Sequence, residues 1–359
     1  MKRYMRGIVV MGPGKVEIVD DIPVPKPGDY DALVKVKSCG ICSGTDLQYI
    51  DGTEKETLAD YPTILGHESA GEVIAIGKKV RHIQVGDRFI HTNLRENTES
   101  RYTKTHGSMA EYGLVPDVKS IMEDGYSIEQ IPEITGYGRR VYTYQDGPEV
   151  NGRLEADMDL VEAGVFQPLA ESLSAVINFG VKEEDSVLIY GCGPMGLAAA
   201  LFCKLRGARF VAVVDKIAER LRQAEITAHA DLTIDLTREE MGKVLNGKLF
   251  DIVIDAVGSS QILLEGSRYC KCNGTVGAMG VLKKDDCILD VQSIKNSVRL
   301  HMLNFPYHSF ASLDLLQRMI REGKVNPKDF ISHVIPMQEV NKGIAMIRNR
   351  QAFKVVLTF

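Results

Sequence analysis

Residues 186–205, SVLIYGCGPMGLAAALFCKL, predict a strand, a glycine turn and a helix in direct succession. Ser186–Tyr190 is a short apolar run, which is typical of a buried parallel strand. The turn at Gly191–Gly196 has the pattern G-x-G-x-x-G. That pattern is weak evidence alone, but between a strand and a helix it predicts a dinucleotide-binding turn.

The residues of this turn have separate expected roles in binding a dinucleotide. Gly191 permits the tight turn, Gly193 lets the backbone approach a pyrophosphate, and Gly196 allows close packing of helix on strand. Pro194 and Met195 lie at the start of the helix, where unpaired backbone N–H groups face the phosphates. The turn therefore predicts a pyrophosphate site.

Asp215 follows the predicted strand Phe210–Val214, about 20 residues beyond the turn, where a carboxylate accepts hydrogen bonds from the ribose hydroxyls of NAD. The same carboxylate repels the 2′-phosphate of NADP. NAD is therefore the preferred cofactor, although Lys216 and Arg220 leave NADP possible. Residues at the ends of later strands are expected to form walls of the nicotinamide pocket: Val257, Gly258, Ala278 and Met279.

The rest of the chain divides into two patterns. From about residue 157, helices and strands alternate, which predicts parallel βαβ units. Before about residue 115, short β-branched runs are separated by Gly and Pro, which predicts an irregular, barrel-like β domain. After about residue 300 the pattern is mixed and ends on the apolar run Phe353–Leu357. We therefore predict an α/β domain at 159–299, inserted into a β-rich domain formed by 1–158 and 300–359.

The composition excludes several classes of protein. The chain has 359 residues, a hydrophobic content of 44%, charged residues at 25% and a formal net charge of −5. These values are typical of a globular protein and give no electrostatic footprint for nucleic acid or an anionic membrane. Seven cysteines, an odd number, favour reduced thiols and a cytoplasmic location. No targeting segment or membrane span is predicted from the N-terminal residues or the longest uncharged stretch.

Two short segments carry side chains that bind metals. Cys39-Gly40-Ile41-Cys42 and Gly66-His67-Glu68 provide thiolate, imidazole and carboxylate groups, the ligand types that suit zinc. Neither segment is strong evidence alone. A C-x-x-C motif is also found in redox and structural roles, and a lone histidine is more often a hydrogen-bonded structural residue.

Together with the glycine turn, these motifs resemble the zinc-dependent medium-chain dehydrogenase/reductase superfamily, and most of all its polyol and sugar dehydrogenase branch. The resemblance covers essentially the whole chain and rests on five segments: Gly40–Asp46, Gly66–Glu68, Val85–Arg88, Ala110–Tyr112 and Gly191–Gly196. It implies an α/β protein with a GroES-like β-rich catalytic domain and a Rossmann-type doubly wound parallel sheet. The implied activity is hydride transfer between NAD(P) and the secondary alcohol of a polyol, sugar or cyclitol.

The resemblance also implies a set of metal ligands. Cys42 and His67 match ligand positions, and Glu68 matches a neighbouring carboxylate that binds zinc directly or exchanges with water. Cys39 matches a position that is not a ligand. The fourth position reads Gln167-Pro168-Leu169, where the polyol branch has E-P-L. A neutral glutamine would leave the zinc charge less compensated and make the metal a stronger Lewis acid. The alternative is that Gln167 only forms hydrogen bonds and Glu171 completes the site.

Carried over from the family, Thr45 relays the substrate proton and Asp46 orients His67 and fixes its tautomer. The family usually has two residues between the cysteine and the aspartate, whereas this chain has three, Ser43-Gly44-Thr45. Ser43 is therefore the alternative proton relay.

Two further residues match substrate positions of sorbitol-type enzymes. Tyr49 matches a substrate-contacting tyrosine, and Arg299 matches a substrate-side arginine, with a surface or interface arginine as the alternative. The segment from about residue 123 to residue 157 is longer than the family needs. Its default interpretation is a surface loop, with a lid or substrate rim as the alternative, and it contains Tyr137, Arg139, Arg140, Tyr142 and Tyr144.

One catalytic zinc is expected and no structural zinc, because 91–106, where many members carry four cysteines, contains none. A small-molecule substrate and a homodimer or homotetramer are expected, without nucleic-acid or membrane partners. Three alternatives stay open at this point. They are an aldose 1-dehydrogenase of glucose dehydrogenase type, a zinc-free reductase of the superfamily, and a non-catalytic member.

Overall fold

The computed structural model describes residues 3–53, 60–95, 99–135, 152–283, 285–286, 288–303 and 308–359. The chain separates into two compact units, Met1–Gln167 with His308–Phe359, and Pro168–Tyr307. We call them the β-rich unit and the α/β unit. No helix in the described ranges has both the length and the apolar character needed to cross a lipid bilayer.

The described strands are β1 (Tyr4–Gly12), β2 (Lys15–Pro23), β3 (Asp31–Gly40), β4 (Thr63–Ile64), β5 (Glu68–Ile76), β6 (Arg88–Ile90), β7 (Thr103–Lys104), β8 (Tyr112–Pro116), β9 (Arg153–Leu154), β10 (Ser186–Tyr190), β11 (Phe210–Asp215), β12 (Leu232–Asp235), β13 (Phe250–Asp255), β14 (Cys270–Ala278), β15 (Arg299–Met302), β16 (His333–Pro336) and β17 (Val355–Thr358). The described α-helices are α1 (Thr45–Asp51), α2 (Val118–Glu123), α3 (Ile131–Thr135), α4 (Phe166–Asn178), α5 (Pro194–Leu205), α6 (Ala218–Thr227), α7 (Met241–Leu245), α8 (Ser260–Tyr269), α9 (Leu313–Arg321) and α10 (Val340–Arg348).

The α/β unit contains a six-stranded sheet in the order β12-β11-β10-β13-β14-β15. Every pair of neighbours in it is parallel. Its central strands are apolar runs because both faces of a parallel sheet are buried, and all five residues of β10 are buried. The strand order reverses between β10 and β13, and ligands of such sheets bind outside the carboxyl ends at this point. The predicted parallel α/β fold is confirmed.

The β-rich unit contains a seven-stranded sheet and a four-stranded sheet. β3 is central in the larger sheet and pairs antiparallel with β5, β8 and β17. The register places Gly40 opposite both Glu68 of β5 and Val356 of β17. The segments on either side of this point are thereby brought together, although they lie far apart in the sequence.

Two elements begin later than the sequence pattern predicts. The apolar pattern from Val85 to Ile90 predicts one strand, but β6 starts at Arg88. A turn replaces its first half, because the Gln84 backbone N–H donates to Asp87 Oδ2 at 2.8 Å and Gly86 has a positive φ of 95°. The helical pattern from residue 160 becomes an α-helix only at Phe166, after a 3₁₀ turn at Glu162–Val165.

Candidate active site

Cys42, His67 and Glu68 come together at one end of the β3–β5 pair. Cys42 lies in the loop between β3 and α1, and His67 immediately precedes β5. Their ligand atoms, a thiol sulfur, an imidazole nitrogen and a carboxylate oxygen, all lie within 4.8 Å of one another. Zinc is held by these three donor types, so the residues fit a zinc ion.

Negative charge surrounds the imidazole of His67. Its Nδ1 lies 3.7 Å from Asp46 Oδ1, and its Nε2 lies 3.9 Å from Glu68 Oε1. Burial lowers the pKa of His67, but the contacts with Cys42, Asp46 and Glu68 outweigh it and raise that pKa to about 10. A cluster that favours a protonated imidazole so strongly carries excess negative charge, which a divalent cation would compensate.

Asp46 connects the cysteine loop to the histidine. Its side chain is buried near the start of α1, and Oδ2 accepts a hydrogen bond from the Cys42 backbone N–H at 2.9 Å. The other oxygen faces His67 Nδ1. The Asp46 carboxylate therefore holds the loop that carries Cys42. It also faces Nδ1 of His67, so the other ring nitrogen, Nε2, lies toward Glu68.

The other cysteine of the motif has different surroundings. Cys39 lies fully buried in an apolar cluster that includes Ile41 and Leu357. Burial raises the pKa of the Cys39 thiol well above its ordinary value. Cys39 therefore packs as a small apolar residue, in contrast to the partly exposed Cys42.

Lys354 is a site residue that the sequence reasoning missed. It directly precedes β17, and its Nζ forms an ion pair with Glu68 Oε2, with only 4% and 3% of the two side chains exposed. Burial lowers the pKa of Lys354, but Glu68 and Cys42 outweigh it and raise that pKa. The lysine thus carries a buried positive charge beside the cluster. A single lysine next to an apolar run is no signal of burial in the sequence.

Gln167 lies in the first turn of α4, with 4% of the residue exposed. Its Oε1 lies 2.7 Å from His91 Nδ1, and the same nitrogen lies 2.9 Å from the backbone carbonyl oxygen of His67. The structure therefore links the predicted fourth ligand to the segment that carries His67.

His91 is a second residue that the sequence reasoning missed. Burial lowers its pKa to about 4, so the ring is neutral at neutral pH. The ring of His106 lies 5.3 Å from that of His91 and 5.7 Å from that of His67, measured between centroids. No motif spacing connects these histidines, and only the folded chain brings them together.

The residues predicted to contact substrate in the β-rich unit differ in exposure. Ser43 is exposed, whereas Thr45 is half-buried and its backbone N–H donates to Cys42 Sγ at 3.4 Å. Tyr49 is 1% exposed and packs in the apolar cluster with Ile50 and Ile344. This placement does not support the predicted contact of Tyr49 with a substrate, because core packing occupies the ring.

In the α/β unit, the glycine turn has the geometry that the sequence predicts. Gly191 has a φ of 90°, in the left-handed region, and Gly193 precedes α5, which begins at Pro194. A Cβ on Gly196 would lie 1.9 Å from the carbonyl oxygen of Gly191. The start of α5 therefore packs against the turn only because glycine occupies position 196.

Asp215 ends β11 and holds the adjoining turn. Its Oδ2 accepts a hydrogen bond from the Cys192 backbone N–H at 2.6 Å. Its Oδ1 accepts from the backbone N–H groups of Lys216 and Ile217 at 2.7 and 2.9 Å. These bonds fix the carboxylate beside the glycine turn, where the sequence places the ribose.

The predicted nicotinamide walls lie at the same edge of the sheet. The buried Asp255 carboxylate, at the end of β13, accepts hydrogen bonds from the backbone N–H groups of Val257 and Gly258. Val257 is 56% exposed. Ala278 ends β14, and the backbone N–H of Met279 donates to the Asp255 carbonyl at 2.9 Å. All four residues therefore lie at or directly after the carboxyl ends of central strands.

Arg299 lies elsewhere on this sheet. It begins β15, opposite Thr275, and its exposed guanidinium donates to the Asn273 carbonyl oxygen at 2.7 Å. The first residue of a parallel strand lies toward the edge opposite to the carboxyl ends. The expected substrate contact is therefore not supported, and the position agrees better with the alternative of a surface arginine.

The tyrosines and arginines predicted as a lid or substrate rim lie outside the described residues. They belong to 136–151, which separate α3 from β9. Their proposed role stays a prediction.

Two family models match the chain, and together they match more than half of it. A model of the alcohol dehydrogenase GroES-like domain matches residues 28–123, and a model described as zinc-binding dehydrogenase matches residues 194–318.

Curated relatives and solved structures extend the similarity over the full length. Sorbitol dehydrogenase of Ovis aries is 26% identical over 98% of this chain and 95% of its own. L-threonine 3-dehydrogenase of Ruegeria pomeroyi is 27% identical over 93% of this chain and 94% of its own. A crystal structure of a short chain alcohol dehydrogenase from E. coli CFT073, complexed with NADH, has a TM-score of 0.78 at 22% identity, with all of both chains covered.

Proposed function

Because this chain belongs to the zinc-type medium-chain dehydrogenases, we propose that it transfers a hydride between the secondary alcohol of a polyol, sugar or cyclitol and NAD(P). The observation that carries the proposal is the cluster of Cys42, His67 and Glu68, whose ligand atoms lie within 4.8 Å of one another. The similarity to sorbitol dehydrogenase supports a polyol as the substrate class. A zinc-free reductase would not need these three ligands.

In this proposal Cys42, His67 and Glu68 hold one catalytic zinc, with Gln167 as the fourth ligand. When bound, zinc supplies Lewis acidity toward the substrate hydroxyl, and the nicotinamide supplies the hydride acceptor. Asp46 keeps His67 oriented through its Oδ1. The ion pair of Lys354 with Glu68 Oε2 reduces the net negative charge of the ligand set.

The substrate hydroxyl must lose a proton as the hydride leaves its carbon. Thr45 is the proposed proton relay, because it is half-buried and its backbone N–H contacts the sulfur of Cys42. Ser43 is the alternative relay, and its exposure favours exchange with solvent instead.

The α/β unit provides the proposed cofactor site. Gly191–Gly196 and the start of α5 offer backbone N–H groups to the pyrophosphate. Asp215 binds the ribose hydroxyls, which favours NAD. Lys216 and Arg220 leave NADP as an accepted alternative.

Membership of the family also leads us to propose a homodimer or homotetramer in the cytoplasm. The proposed partner is a small molecule, because a net charge of −5 provides no attraction for nucleic acid.

The proposal is tested by the absorbance of NADH or NADPH at 340 nm together with the zinc content of the purified protein. The panel contains polyols, cyclitols, aldoses and L-threonine, each with NAD and with NADP. We expect one bound zinc and reduction of NAD with a polyol, sugar or cyclitol. Reduction with aldoses alone would favour the aldose 1-dehydrogenase. Protein without zinc, or no reduction with any compound, would contradict the proposal.

A further inference from the structure

His91 occupies a position in the β-rich unit that neither the glycine turn nor the zinc motif accounts for. It follows β6 with a positive φ of 57°, in the left-handed region that few side chains adopt. Its backbone is held on both sides, because its N–H donates to the Ser69 carbonyl at 2.9 Å and its carbonyl accepts from Asn93 Nδ2 at 3.1 Å. The direction of its side chain is therefore fixed.

The contacts of the ring determine its tautomer. Nδ1 lies 2.9 Å from the carbonyl oxygen of His67, and a carbonyl oxygen can only accept a hydrogen bond. Nδ1 therefore carries the hydrogen. The second contact of this nitrogen, at 2.7 Å, must then be to an oxygen as well, which agrees with Oε1 of Gln167.

The other ring nitrogen is not satisfied. Among the described residues, His91 Nε2 has no hydrogen-bond partner although it is buried. Phe310 packs edge-on against the ring, with centroids 5.4 Å apart. An unpaired buried nitrogen is unfavourable, and a phenylalanine would fill the same space without that cost. The contribution of a histidine here therefore comes through Nδ1.

We propose that His91 is a positioning residue of the metal site, whose Nδ1–H holds the backbone of one ligand, His67, and the side-chain oxygen of another, Gln167. This inference rests on the proposed zinc site. By accepting the hydrogen bond, Gln167 Oε1 is fixed in direction while its second lone pair stays available. Groups that orient metal ligands in this way contribute to metal affinity without touching the metal.

Substitutions at position 91 can distinguish two roles of the side chain, hydrogen-bond donation from Nδ1 and the filling of space in the core. Asparagine places an amide N–H near the Nδ1 position and tolerates a positive φ. Glutamine places its amide near the Nε2 position instead. His91→Asn is therefore the matched control for His91→Gln, and both keep a polar side chain in the same space.

The test is the zinc dissociation constant, measured by competition with a chelator and without turnover. We expect His91→Gln to weaken zinc binding about 10- to 100-fold, while His91→Asn stays within about threefold of the unsubstituted protein. In the Gln167→Ala background, His91→Gln should weaken zinc binding less than it does in the unsubstituted protein, because one of the two partners of His91, Gln167, is already missing while the contact with the His67 carbonyl remains. The cobalt-substituted protein should show the same pattern in its d–d absorption bands.

Four results would overturn the proposal. They are a protein that binds no zinc, unchanged zinc affinity in His91→Gln, an equal loss with and without Gln167, and a ring protonated at Nε2 by ¹⁵N NMR of the metal-free protein. A protein that follows the expected affinities but reduces no cofactor would contradict only the proposed dehydrogenase activity.

Discussion

Thr45 and Ser43 differ in exposure, and this difference predicts which of them relays the substrate proton. Thr45 is half-buried beside the sulfur of Cys42, whereas Ser43 is exposed. We expect Thr45→Val to lower kcat about 100-fold, because a positioned proton-transfer group contributes at least that much. Ser43→Ala should change kcat less than about threefold, and steady-state kinetics with the best substrate measure both.

Thr45→Ser is the control for this prediction, because it keeps the hydroxyl and removes one methyl group. It should retain most of the activity. If Ser43→Ala is the slow variant and Thr45→Val is not, the relay runs through Ser43, as the spacing after Cys42 also allows.

The close approach of Gly196 to Gly191 predicts the effect of a single methyl group. Gly196→Ala should weaken NADH binding at least about tenfold, because its Cβ would lie 1.9 Å from a carbonyl oxygen and something must shift. Gly242→Ala is the matched control in α7, where the nearest atom to an added Cβ is 3.7 Å away. It should stabilise the protein by about 0.5–1 kcal/mol, as alanine usually does in a helix. Fluorescence titration with NADH and urea unfolding measure the two effects, and equal binding in both variants would contradict the argument.

The glycine turn could be predicted from the sequence, whereas His91 and Lys354 could not. A glycine at a positive φ or against a carbonyl oxygen is required by local backbone geometry, which short motifs record. The placement of Lys354 depends on pairing of β17 with β3, and that of His91 on contacts with His67 and Gln167. Such contacts join distant segments, and no local pattern encodes them.

The short helix α2 depends on one carboxylate, and this dependence predicts a pH effect on stability. Asp117 caps the helix by accepting from the Ser120 backbone N–H at 3.0 Å, and its Oδ2 also accepts from the backbone N–H groups of Arg81 and His82. Burial acts to raise the pKa of Asp117, but these hydrogen bonds outweigh it and hold the pKa below its ordinary 3.8.

Asp117→Asn should lower the free energy of unfolding by about 1–3 kcal/mol at pH 7, because an amide nitrogen cannot accept the bonds at Oδ2. The unfolded chain binds the proton more readily than the folded one, so this stabilisation is full above pH 3.8 and is lost as the pH falls through the folded pKa. Urea unfolding between pH 7 and pH 3 should therefore show the two proteins converging at low pH. A difference that stays constant would contradict this origin.

Among the elements, those with a strong periodic pattern were predicted within a few residues, while irregular starts were not. The apolar pattern of Asp251–Asp255 predicts a short strand, and the observed strand is Phe250–Asp255. The pattern of Ile217–Ala228 predicts a helix, and the observed helix is Ala218–Thr227. β6 was predicted too long because the turn at Gly86 interrupts an apolar pattern. Tyr49 illustrates a related limit, since a motif match cannot show whether a ring faces a site or the core.

The proposed metal site and the proposed cofactor site lie in separate compact units. This predicts that a substitution in one site does not impair binding at the other. The proposed metal ligands belong to the β-rich unit, while the glycine turn and Asp215 belong to the α/β unit. His67→Ala should abolish turnover and zinc binding but change NADH affinity less than about twofold, because groups without shared partners act additively. Gly196→Ala should weaken NADH binding and leave zinc binding unchanged. Loss of both zinc binding and NADH binding in either variant would contradict this separation.

The sequence predicted the fold class correctly but predicted the boundaries of the two units less accurately. Alternating apolar strands and helices predict a parallel sheet because that sheet is buried on both faces. The boundaries between the two compact units lie at residues 167/168 and 307/308. The sequence predicts these boundaries at 158/159 and 299/300. The change in pattern near Asp157 precedes the change in packing, because the turn at Glu162–Val165 still contacts β3 and β5.

The ion pair between Glu68 and Lys354 has a consequence for protein synthesis. A ribosome makes Cys42, His67 and Glu68 early and Lys354 and β17 much later, with the whole α/β unit between them. Domains generally fold as units while the chain grows. The α/β unit can therefore form on the nascent chain while the proposed metal ligands still lack Lys354 and β3 still lacks its partner strand β17. A chain released before residue 354 would lack that counter-charge beside Glu68, so the cluster would carry a larger excess of negative charge and would attract a divalent cation more strongly than in the finished protein.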